Sequence, residues 1–254
     1  MSQITMGIIA STLAGLATGV GALPALFFKN VSDKILNAML GGAAGVMLAA
    51  TSFSLIVPGI EYGDKIWPGY GVYIIVFGML FGAVFLDCID RWLPHEHFIM
   101  GYEGPASSLK RIWLFVIAIT IHNFPEGLAV GVGFGTGDVG AGTSLAIGIG
   151  LQNMPEGLAV AISLISIGYT RWRAVGIATL TGLVEPIGGF LGVAAVTIFH
   201  PILPFGLAFA AGAMLFVISD EIIPETHSKG KSRLATFGVM VGFVIMMAMD
   251  NLLG

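Results

Sequence analysis

Apolar runs of about twenty residues or more follow one another along nearly the whole chain, and this limits the fold more than any other feature. In hydrocarbon no water bonds the backbone, so each run must satisfy its own amides and carbonyls as a helix. Eight such segments can be read: residues 4–28, 35–60, 69–93, 109–134, 144–169, 174–199, 205–224 and 234–253. Only 10% of the 254 residues are charged. A soluble domain carries about 25%. So few charges cannot cover a surface that faces water. The reading is an all-α, polytopic transmembrane helix bundle, one domain over residues 1–254. The first segment lacks a basic stretch before it and runs on to Phe28, so it reads as a retained span.

The basic residues test this count. Ten of the eleven Lys and Arg fall in the one–two, three–four, five–six and seven–eight connections, and only Lys65 falls on the opposite side. Positive charge gathers in the cytoplasm, so both termini are expected outside. The polar connection 94–110 is then cytoplasmic. The compact loops favour a bacterial inner membrane. No basic face is available for nucleic acid. The lone Cys88 excludes an intrachain disulfide and a cysteine-cluster metal site.

Two stretches nearly repeat inside the spans: HNFPEGLAV from His122 and QNMPEGLAV from Gln152. In a helix, residues four apart share a face, so His122 lies with Glu126 and Gln152 with Glu156. Asn123 and Asn153, three before the glutamates, add a second amide. Glu185 in segment six is a third carboxylate at membrane depth. Carboxylates in hydrocarbon need a partner, a proton or an ion. Apart from Lys110 and Arg111 at the cytoplasmic edge, these spans hold no balancing Lys or Arg, so only protons or a cation fill that role. One imidazole among carboxylate and amide oxygens suits zinc, iron, manganese or cobalt better than calcium or magnesium. The competing reading is interhelical hydrogen bonding that only joins the bundle, and it is strongest for Asn123, Asn153 and Gln152.

Weaker signals sit at the ends. Asp220, Glu221, Glu225 and His227 near the end of segment seven read either as a cytoplasmic release path or as a wet helix end. Glu61 and Asp64 lie where they could attract cations. His95 and His97, flanking Glu96, suggest transient metal binding by the loop, or a solvated loop and nothing more. HNxPE lacks the second histidine of HExxH, and no phosphate-binding loop is present, so neither metalloprotease chemistry nor ATP-driven work is expected.

HNFPEG, QNMPEG and the VEP of segment six closely resemble the ZIP (Zrt/Irt-like) family of divalent metal transporters, in particular its bacterial GufA-like branch. The resemblance implies a carrier, not an enzyme, that moves metal toward the cytoplasm. It implies a zinc preference, with iron, manganese, cobalt or cadmium tolerated, the metal being cargo and not a cofactor. It implies a binuclear site: one ion on His122, Glu126, Gln152, Glu156 and Glu185, a second on Asn123, Glu126, Asn153, Glu156 and Glu185. Some relatives carry an acid at the position of Asn153, and many a histidine at that of Asp220. The fold implied is a 3+2+3 arrangement, spans one to three and six to eight related by inverted symmetry, with sliding helices and common homodimers. Divalent ions and the lipid bilayer are the expected partners. A membrane metal-binding or sensing protein without flux is the alternative, and a proton or monovalent-cation channel a third.

Overall fold

The computed structural model describes residues 1–28, 31–97, 101–103, 111–227 and 233–253. Eight helices among them are long and apolar enough to cross a membrane: Gln3–Leu26, Lys34–Ile66, Gly71–Trp92, Val116–Gly135, Val139–Ser166, Arg171–Ile198, His200–Ile222 and Arg233–Leu253, numbered spans one to eight in that order. Side chains cap several of their starts. Ser2 accepts from the Thr5 amide, Ser32 from that of Ile35, and Asp138 from that of Ala141 at 3.0 Å. The one departure from all-helix among the described residues is an antiparallel hairpin, β1 (His95–His97) with β2 (Gly101–Glu103). It lies within the stretch expected to be a loop.

The spans pack as two groups. Spans one, four, five and six pack on one another, with one against five and four against six the most extensive pairs. Spans two, three, seven and eight form the other group, led by two against eight and three against seven. Span two against span five, and span four against span seven, join the groups. Apolar side chains fill the joint, among them Met47, Leu55, Leu145, Ile149, Leu207 and Met214. Spans three and eight are the least buried, and turn Phe77, Leu80, Phe81, Phe237 and Val241 outward, as a lipid-facing surface requires.

Glycines set how close the helices come. A Cβ on Gly157 would collide with the carbonyl of Thr18 in span one, and a Cβ on Gly127 with that of Glu185 in span six. The glycine after each motif glutamate therefore brings a neighbouring backbone against the site.

The helices meet their prolines in three ways. The helices run through Pro125 and Pro155. Span two instead widens into a π-helical stretch, Ala50–Ile56, ahead of Pro58, and span seven does the same at Ile218–Ile222, ahead of Pro224. A proline ring pushes away the carbonyl four residues back, here that of Ser54 or Asp220, and a wider turn accommodates it. Span six breaks outright. Its first half ends at Gly182 and its second starts at Glu185, with Pro186 in the first turn, where its missing amide hydrogen is not needed.

Candidate metal centre

Four helices deliver the polar side chains. Span four supplies His122, Asn123 and Glu126, span five Gln152, Asn153 and Glu156, span six Glu185, and span seven Glu221. All eight are buried. Burial this deep is costly for carboxylates unless something answers their charge. Among the described residues no Lys or Arg is buried. The three motif carboxylates are near enough to repel one another: Glu126 acts on Glu156 and Glu185, and Glu185 on Glu156.

Amides meet part of this charge. Gln152 Nε2 donates to Glu126 Oε1 at 2.5 Å. Asn153 Nδ2 donates to Glu185 Oε1 at 2.6 Å and to the Ala14 carbonyl of span one at 3.0 Å. The other halves of these groups are left over. Glu126 Oε2, Glu185 Oε2, Gln152 Oε1, Asn153 Oδ1 and both polar atoms of Asn123 are buried without a hydrogen-bond partner. All but the Asn123 amide nitrogen are oxygens, and oxygen that lacks a donor is what a divalent cation seeks. A half-turn of either amide would present its oxygen where its nitrogen now lies.

His122 is placed differently. Its Nε2 lies 2.5 Å from Glu221 Oε1 of span seven. Glu156 and Asp90 act on it electrostatically as well. Asp90, buried near the end of span three, was visible in the sequence only as a late acid in an apolar run. Among the described residues no three His, Cys, Asp or Glu side chains are gathered closely enough to hold a metal as they stand. The side chains that the sequence groups together are therefore clustered, but they are held on amides and on Glu221.

The weaker candidates scatter. Asp220 lines a cleft between spans three and seven with Met79, Leu80 and Gly212, whereas its neighbour Glu221 faces His122. His227 has one ring nitrogen on Thr226 Oγ1 and the Ile223 carbonyl, and the other 3.1 Å from Thr236 Oγ1, tying the end of span seven to span eight. Asp64 accepts from the Gly71 amide at 2.9 Å and so shapes the turn into span three. Glu61 is exposed. The side chains of His95, His97 and Glu225 lie outside the described residues.

A profile of the ZIP zinc transporter family matches residues 100–250, which hold all of these motif residues. The chain is 45% identical to the zinc transporter GufA of Myxococcus xanthus, over 98% of this chain and 99% of that protein. The chain belongs to the ZIP family. It is also 45% identical to the zinc transporter ZIPB of Bordetella bronchiseptica, over 94% of this chain and 78% of that protein. The human zinc transporter ZIP11 is 34% identical over 93% of this chain and 94% of its own length. As a ZIP protein the chain is a multi-pass membrane carrier and not an enzyme. In this ZIP chain the three motif glutamates come from three consecutive spans, and the break in span six puts Glu185 at a helix start.

Proposed function

We propose that the protein carries zinc, or a divalent ion of similar chemistry, across a bacterial inner membrane into the cytoplasm. The observation that carries this reading is the cluster of Glu126, Glu156 and Glu185. They are buried, mutually repelling, without a buried Lys or Arg among the described residues, and flanked by amide oxygens that lack donors. A doubly charged ion with oxygen and imidazole preference answers that charge. The names of the relatives, zinc transporters all three, support the choice of zinc.

The first ion is held by His122, Glu126, Gln152, Glu156 and Glu185. The second is held by Asn123, Glu126, Asn153, Glu156 and Glu185, with neutral Asn153 making it the weaker of the two. Loading proceeds by exchange. The cation draws Glu126 off Gln152 and Glu185 off Asn153, the amides turn their oxygens inward, and His122 leaves Glu221. Glu221 then stands next on the way out, so that release is a transfer between carboxylates. Binding must replace hydration yet permit departure.

The architecture we assign is the 3+2+3 arrangement with both termini outside. Its support is that the contacts come in pairs. Exchanging one with six, two with seven, three with eight and four with five turns the one–five pair into the six–four pair and the two–eight pair into the seven–three pair. The same exchange matches the two π-helical stretches. Spans one, four, five and six would move as one body against the rest. Uptake of radioactive zinc into proteoliposomes tests the function. The wild type accumulates zinc and Glu156→Ala does not. Binding without accumulation would make the protein a metal-binding or sensing module, and equal uptake by both would overturn the site.

A further inference from the structure

Thr18 lies in span one, one helical turn after Ala14, and takes no part in the proposed ligand set. Its hydroxyl is buried, with 1% of the residue exposed, and has no hydrogen-bond partner. Four helical threonines bond the carbonyl four residues back: Thr12 to Ile8, Thr120 to Val116, Thr143 to Val139 and Thr179 to Val175, while Thr181 and Thr226, near helix ends, bond the carbonyl three back. Thr51, another buried threonine without a partner, sits in the π-helical stretch, where that register is disturbed. Thr18 lies within the uninterrupted helix Gln3–Ala22, so another cause is needed.

The cause is the acceptor. The carbonyl that Thr18 would use is that of Ala14. As an interior helix carbonyl it accepts the Thr18 amide, and Asn153 Nδ2 takes its second lone pair at 3.0 Å. The carbonyl three back, that of Gly15, does not take the hydroxyl either, since the hydroxyl has no partner. Its neighbours across the interface are Gly157, packed on the Thr18 backbone, and Gly182, whose added Cβ would lie 2.7 Å from Thr18 Oγ1. Neither has a side chain to offer.

We propose that Thr18 is a positioning residue for the cation: its hydroxyl and the Asn153 amide compete for the Ala14 carbonyl, and an ion that turns Asn153 hands this carbonyl to Thr18. The inference rests on the proposed function, since it takes Asn153 and Glu185 to engage the ion. Asn153 Nδ2 spans Ala14 and Glu185, so a cation on Glu185 and on Asn153 Oδ1 breaks both bonds. Thr18 then makes the bond that Thr12, Thr120, Thr143 and Thr179 make. The loaded form gains a hydrogen bond that the observed arrangement denies it, and span one, which offers no ligand, senses whether the site is filled.

The test is equilibrium zinc affinity of the purified full-length protein, by competition with a chelating dye, together with the KM of zinc uptake in proteoliposomes. Thr18→Val keeps the shape and removes the hydroxyl. It is expected to weaken zinc about fivefold and to raise KM alike, with the maximal rate unchanged. Thr18→Ser restores both. In an Asn153→Ala background the carbonyl is open throughout, so adding Thr18→Val changes affinity by less than about twofold. Asn153→Asp, which has no donor, provides the same background if the alanine variant fails to fold. The proposal is overturned if Thr18→Val binds zinc like the wild type, if Thr18→Ser is as weak as the valine, or if the loss persists without the Asn153 amide. A wild type that binds no zinc would instead overturn the proposed function.

Discussion

His122 of span four and Glu221 of span seven meet at 2.5 Å, and so join the two helix groups beside the candidate site. A histidine nitrogen engaged by a carboxylate is not available to a metal. On the proposed ligand set, zinc held by this nitrogen displaces Glu221. Replacing it by leucine, Glu221→Leu, removes the competitor at similar size. Equilibrium zinc affinity is expected to rise about tenfold, the order of one hydrogen bond to a charged group, while the maximal uptake rate falls. Chelator competition reads the first and uptake the second. A fall in affinity would instead make Glu221 a ligand of the primary ion.

Neutralising one motif acid should destroy the function and leave the fold standing. Glu156 interacts with Glu126, Glu185 and His122. Glu156→Gln keeps its shape and its capacity to hydrogen-bond but brings no charge to a cation. Zinc uptake should drop to background while the purified protein still melts cooperatively. Uptake at the wild-type rate would remove Glu156 from the proposed ligand set.

Much of this was legible in the sequence, and the parts that were not have physical reasons. Eight helices follow from apolar length, and the four-residue spacing puts His122 with Glu126 and Gln152 with Glu156 on helices that run unbroken through their prolines. That Glu221 faces span four while Asp220 does not was hidden, because a π-helical turn changes the angle per residue. The β hairpin was hidden because two three-residue strands are too short to show a period. The Ala14 carbonyl left no trace, since a backbone atom has no letter. Asp64 and His227 have the composition of cation ligands and serve as clamps.

The glycines offer a paired control. Gly127→Ala drives a methyl group into the Glu185 carbonyl, which must shift with the site beside it. Overpacking of that kind costs about 1–3 kcal/mol. Uptake should fall along with the melting temperature. Gly176→Ala places the same methyl where nothing lies within 4 Å. There a helical alanine replaces a glycine, so stability should hold or rise by up to about 1 kcal/mol, with uptake unchanged. Equal damage from both would mean that close contact between spans four and six is not what the glycine provides.

Pro224 accounts for the aim of Glu221. Its ring displaces the Asp220 carbonyl, and the helix answers with the π-helical stretch Ile218–Ile222 that contains both acids. Pro224→Ala supplies the missing amide hydrogen and removes the ring, so the stretch can close to an ordinary α-helix. Losing one residue from a turn rotates the helix on one side of it by about 100° relative to the helix on the other. Glu221 would then swing away from His122. In a Cys88→Ser background, cysteines replacing His122 and Glu221 should be joined by a short bifunctional thiol reagent, and adding Pro224→Ala should abolish that link. Uptake by the single Pro224→Ala variant should fall if Glu221 receives the ion as proposed. Persistent cross-linking would show that packing against span four, and not the proline, holds the π-helical turn.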